Sequence, residues 1–84
     1  LLFRLAGLYY DLKDYKSAHI YVQQAIRIAP AKWVYHFLLG LTDLDSGRFS
    51  EARDSLEIAA RLNPSGAEVK DALARVRQAQ AGKP

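Results

Sequence analysis

Apolar positions recur three and four residues apart along most of the chain, in blocks divided by short polar breaks. Leu2, Leu5, Leu8, Tyr9 and Leu12 share one face of a helix. After the break "KDYKS", Tyr15, Ala18, Val22, Ala25, Ile26 and Ala29 form a second stripe, with Asp14 placed to cap its start. Trp33, His36, Phe37, Leu39, Gly40 and Leu44 form a third. The turn "DSGR" follows, where Gly47 can take a left-handed conformation. Phe49, Ala52, Leu56, Ala59 and Leu62 make the fourth stripe. In "LNPSGAEVK", Pro64 ends that helix, and Ser65 with Glu68 three residues on reads as a capping box for the next. Period-two alternation does not persist anywhere. The spacing predicts an all-α fold with helices over roughly 1–12, 15–28, 31–45, 49–62 and 66–80.

The blocks repeat. Moved along by 34 residues, Phe3 meets Phe37, Leu5 meets Leu39, Asp11 meets Asp45, Ala18 meets Ala52, Ala25 meets Ala59 and Pro30 meets Pro64. Near matches keep size: Ala6 with Gly40, Tyr15 with Phe49, Val22 with Leu56. Each unit is therefore an antiparallel helix pair, and the units should stack as an α-solenoid. The small residues allow close approach: Ala6 and Gly40 on the first helix of each pair, Ala18 and Ala52 on the second.

These residues resemble the tetratricopeptide repeat, whose 34-residue pattern is Trp-x2-Leu-Gly-x2-Tyr, then Ala-x3-Phe, an alanine and a proline. The first unit reads Leu2-x2-Leu5-Ala6-x2-Tyr9, Ala18-x3-Val22, Ala25, Pro30. The second reads His36-x2-Leu39-Gly40-x2-Asp43, Ala52-x3-Leu56, Ala59, Pro64. His36 and Asp43 depart from the pattern, standing where large aromatic side chains are common. The resemblance implies a single domain over 1–81: repeat one at 1–30, repeat two at 31–64 and a capping helix at 65–81. The cap would cover the last repeat with one face and meet water with the other. A tail at 82–84 completes the chain.

Eighty-four residues, half of them apolar and a quarter charged, suit one small globular domain. No cysteine is present, which rules out disulfides and thiolate metal sites. That usage favours the cytoplasm and also admits the bacterial periplasm. No apolar run reaches the roughly 18 residues of a membrane span. The opening "LLFRLAGLYY" is not read as a signal peptide, because Arg4 interrupts it and no small-residue cleavage site follows. A helix face already under way at Leu1 reads as a piece of a longer protein. The net charge of +3 is interleaved, with Glu57/Arg61 and Asp71/Arg75 at the spacing of solvated helix pairs. Lys70, Arg75, Arg77 and Lys83 are read as solvated surface, so a nucleic-acid partner is not expected.

Catalytic chemistry has no foothold in the motifs. There is no phosphate loop, nucleophile elbow or metal-binding helix motif. His19 and His36 are the only histidines, and a metal would need both together with a carboxylate such as Asp43. They are read as packing and surface residues, and neither metal nor cofactor is expected. Asp43 and Asp45, two apart on a helix, point to different faces.

The resemblance implies instead a concave face, lined by the first helix of each pair, that receives a peptide or a partner helix. By register the candidate partner-binding residues are Phe3, Tyr10, Asp11, Phe37, Leu38, Leu41, Leu44 and Asp45, with Glu68, Asp71, Ala72, Arg75 and Gln78 from the cap. Phe37, Leu38, Leu41 and Leu44 fall on one broad side of a helix already apolar on the other, so burial on both sides is expected. Asp11 and Asp45 would add an acidic edge. Relatives in that family clamp acidic chaperone tails with Lys, Asn and Arg. The matching positions, Phe3, Gly7, Leu38, Glu68 and Ala72, carry none of these, so such tails are not expected partners. The expected function is a non-enzymatic interaction scaffold. The alternative is a structural module whose apolar face packs on further repeats or on a second copy.

Overall fold

The computed structural model describes residues 1–82. Lys83 and Pro84, and with them most of the expected tail, lie outside the described residues. Five helices follow in order: α1 (Leu2–Asp11), α2 (Tyr15–Ile28), α3 (Trp33–Asp45), α4 (Phe49–Leu62) and α5 (Ala67–Ala81). The described residues contain no strand. α1 pairs with α2 and α3 with α4, while α2 also packs on α3 and α4 on α5. α1, α3 and α5 approach in succession along one side, whereas among the described residues no Cα of α2 lies within 8 Å of one in α4. The stack therefore closes on the first-helix side and opens on the other. That asymmetry makes the first-helix side the hollow one.

The helix corners repeat bond for bond. Leu12, Lys13 and Asp14 donate their amides to the carbonyls of Leu8, Tyr10 and Tyr9. Thirty-four residues on, Ser46, Gly47 and Arg48 donate to Thr42, Leu44 and Asp43. The geometry requires a left-handed residue at the middle position, and Gly47 supplies it with φ of 83°. Lys13 occupies the same position with φ of 62°, a conformation that L side chains adopt at a cost. Asp14 caps α2 as expected, its carboxylate accepting from the Ser17 amide at 3.2 Å. Its counterpart Arg48 makes no side-chain cap on α4.

Besides α1, which begins at Leu2 rather than 1, two helix starts fall later than the spacing predicts. α3 begins at Trp33 rather than 31, and α5 at Ala67 rather than 66. In both places a turn intervenes: the Lys32 amide reaches the Ala29 carbonyl at 3.4 Å, and Gly66 reaches Asn63 at 3.1 Å. The capping box expected at Ser65 is thereby lost. Ser65 sits inside the turn, Gly66 takes the N-cap position, and no side chain caps α5.

Small residues line the seams as expected. Ala6, Ala18, Ala52 and Ala59 have no exposure, and Ala25 is 4 % exposed. A Cβ at Gly40 would stand 2.5 Å from Leu56 Cγ, so α3 and α4 pack closer than an alanine there would allow. Two apolar clusters result. Ala6, Val22 and Leu38 join α1 and α2 to α3, with Phe3, Tyr10, Tyr21, Tyr35 and Leu39 around them. Leu44, Ala52, Leu56 and Ala59 join α3 and α4 to Val69, Ala72, Leu73 and Val76 of α5. α3 contributes to both clusters, which is why its sequence is apolar nearly all round. α5 buries one side and leaves Glu68, Lys70, Asp71 and Arg77 in water.

Candidate partner-binding face

α1, α3 and α5 present their register-equivalent residues to the hollow side. A polar string crosses it. The Tyr10 hydroxyl on α1 donates to the Asp45 carboxylate at the end of α3. The other oxygen of Asp45 lies 3.7 Å from the Arg75 guanidinium on α5. Burial, and then the bond to Asp45, push the Tyr10 hydroxyl's ionisation well above its ordinary 10.0. It therefore acts as a donor at any working pH. Arg75, expected beside Asp71 on its own helix, turns instead to the carboxylate on α3. Asp45 is consequently engaged from both sides, and Asp11, its counterpart, is likewise exposed.

The apolar α3 residues of the expected partner-binding set divide into two kinds. Leu38 and Leu44 are buried, at 8 % and 9 % exposure, one in each cluster. Phe37 and Leu41 are half-buried against the second cluster and remain partly open. Phe37 meets Trp33 in a tilted ring contact at 5.8 Å. Phe3 meets Tyr35 at 5.1 Å, and Tyr10 meets Tyr15 at 5.8 Å. α5 packs against Leu41 and Leu44, narrowing what would otherwise be a wider apolar strip.

The two departures from the repeat pattern have separate uses. His36 is buried, and its Nε2 lies 2.7 Å from the Pro30 carbonyl oxygen. That nitrogen must carry the proton, since a carbonyl only accepts. The bond ties the joint between the helix pairs to α3. Asp43 is 2 % exposed and faces the other way, toward α2. His19 Nε2 lies 3.5 Å from its Oδ1 and Arg48 Nε 3.8 Å. Oδ1 has no hydrogen-bond partner among the described residues. Burial pushes the Asp43 carboxyl above the ordinary carboxylate range, and His19 and Arg48 oppose that rise.

Beside this group lies a cleft of about 430 Å³ lined by Tyr15, Lys16, His19, Ile20, Thr42, Ser46 and Arg48. Sequence reasoning did not mark it. The signal was an aspartate at a position the repeat usually fills with a large side chain. The Thr42 hydroxyl donates to the Leu38 carbonyl at 2.7 Å, and Ser46 to Thr42 at 2.9 Å. Both hydroxyls are thus committed to the backbone rather than poised beside His19. His36 lies with Pro30, away from the His19–Asp43 contact, and no group of three potential metal ligands occurs among the described residues.

Stacked helix pairs on a 34-residue period define a helical-repeat protein. Residues 1–32 match the family model of the tetratricopeptide repeat. The second helix pair repeats the same corner bonds, and the five-helix structure is consistent with tetratricopeptide repeats. Such repeats generally serve as protein–protein interaction modules and are typically non-enzymatic. No curated protein matches the sequence. No helix among the described residues is long and apolar enough to cross a membrane.

Proposed function

We propose that the chain is a non-enzymatic scaffold that takes a peptide or a partner helix along its hollow side. The supporting observation is the contact pattern: α1, α3 and α5 meet while α2 and α4 stand apart. This leaves a side three helices wide, bearing Phe3, Tyr10, Phe37 and Leu41 as partly open large side chains. Such residues supply most of the affinity in protein interfaces. Asp11 and the Asp45–Arg75 pair stand at its polar margin and set the register of an amphipathic segment. Leu38 and Leu44 support the face from below rather than touching the ligand.

Selection from a displayed random-peptide library, followed by amide chemical-shift mapping of the best binder, tests this function. The expected shifts cluster at Tyr10, Phe37, Leu41 and Asp45. Shifts confined to α2 and α4, or no selectable peptide at all, would refute it.

A further inference from the structure

The side of the stack away from the hollow face carries a groove between α2 and α4, floored by α3. Two clefts lie end to end in it. The first is the cleft of about 430 Å³ beside His19 and Thr42. The second, of about 300 Å³, is lined by Gln23, Ile26 and Arg27 on α2 and by Ser55 and Ile58 on α4. On α2 the two walls form one stripe, Lys16, Ile20, Gln23 and Arg27, at steps of four, three and four residues. The floor runs antiparallel beneath it, from Ser46 and Thr42 to Leu39 and His36. The groove is internal to the stack, since α2 packs on α1 and α3, and α4 on α3 and α5. A further helix pair at either end, stacked as these are, would meet α1 or α5 and leave the groove open.

We propose that this groove takes an extended, acidic peptide segment with an apolar middle, carried by a partner protein. Three observations select it. First, among the described residues no carboxylate lines either cleft, whereas Lys16, Arg27 and Arg48 do. Arg48 is taken up by Glu51 at 3.6 Å and by the buried Asp43 at 3.8 Å. Lys16 and Arg27 are exposed and make no ion pair among the described residues, so they are the cations left for a ligand. Second, the centre is apolar. Ile20 is 48 % exposed, and Ile26, Leu39 and Ile58 are half-buried along the second cleft. Apolar side chains gain there, and a phosphate backbone would not. Third, Gln23 and Ser55 can pair with main-chain amides and carbonyls, which an extended segment leaves free and a helix does not. The spacing sets the register. Lys16 and Arg27 stand about 16 Å apart along α2, so acidic residues about five apart in an extended chain would meet both.

Fluorescence polarisation tests the groove with a labelled, end-blocked hexapeptide that has glutamate at both ends and leucine and alanine alternating between. Binding to the 84-residue chain at micromolar concentration is expected. Lys16→Glu, Arg27→Glu and Ile20→Ser should each weaken it about 10-fold, with the helical circular-dichroism signal unchanged. Changing one peptide glutamate to lysine should rescue Lys16→Glu, and changing the other should rescue Arg27→Glu. Which end rescues which variant gives the direction of the bound chain. No binding at millimolar peptide, or equal binding of a peptide with lysine at both ends, would overturn the proposal. Equal binding of a single-stranded oligonucleotide would do the same. So would binding that survives both charge reversals, rescue by neither peptide, or binding lost on Phe37→Ala with the fold intact. Failure of peptide binding at the hollow side would leave this result untouched, because the variants that test the groove all lie on α2.

Discussion

Gly40 and Leu56 share one space: a methyl group added to the first would stand 2.5 Å from Cγ of the second. In the other helix pair the equivalent residues are Ala6 and Val22, both fully buried and in the same cluster. One side chain has gained what its neighbour lost. Gly40→Ala should therefore overpack the seam and cost about 1–3 kcal/mol in chemical denaturation. Adding Leu56→Val should recover most of that loss, because the pair then copies the first unit. Equal destabilisation of the single and double variants would show that the two positions do not share volume.

Lys13 and Gly47 occupy the same left-handed corner position. Lys13→Gly should stabilise the fold by about 1 kcal/mol, and Gly47→Ala should destabilise it by a similar amount. Thermal midpoints of the two variants, moving in opposite directions, provide the check.

Asp43 gives a pH signature. Its carboxyl ionises at higher pH in the folded chain than the ordinary 3.8, because it is buried. The native state then holds a proton that the unfolded state releases. The associated stability is fully present below the ordinary value and is lost as pH rises through the raised one. At neutral pH the buried charge has an oxygen that lies near His19 and Arg48 without a hydrogen bond among the described residues. Asp43→Asn should stabilise the protein there by about 1 kcal/mol, since His19 and Arg48 are exposed enough to keep water when the carboxylate goes. Urea titrations at pH 7 and pH 3.5 should show the advantage shrinking on acidification.

The string across the hollow side has unequal links. Tyr10→Phe removes the hydroxyl bond to Asp45 and should cost about 1 kcal/mol. Arg75→Ala removes an ion pair whose guanidinium is 59 % exposed, and should cost less than about 0.5 kcal/mol. Salt should leave the first effect in place and erase the second.

Most of the architecture was legible because it rests on features close together in the chain. Apolar spacing located five helices, and the recurrence of alanine and glycine marked the seams. The two late helix starts were not legible, because backbone turns at Ala29–Lys32 and Asn63–Gly66 outcompete a side-chain cap. The site was read less completely. Register placed Tyr10 and Asp45 on one side, but their bond joins residues 35 apart in sequence and Arg75 beyond them. Only the assembled stack brings these together. The environment of Asp43 was hidden for the same reason, since His19 belongs to the preceding helix pair. Register put Leu38 and Leu44 in the partner-binding set, and helical spacing does not say how closely α1, α2 and α5 cover them.

Six main-chain amides in two matching sets hold the corners at Leu12–Asp14 and Ser46–Arg48, and the Ser46 hydroxyl adds bonds to the Thr42 and Asp43 carbonyls. Any residue except proline brings that amide with it. Outside the left-handed positions of Lys13 and Gly47, side chains at these bends can consequently drift while the angle between paired rods stays put. Evolutionary latitude in this molecule belongs to its elbows, and a proline entering any of those six positions is what would spoil one.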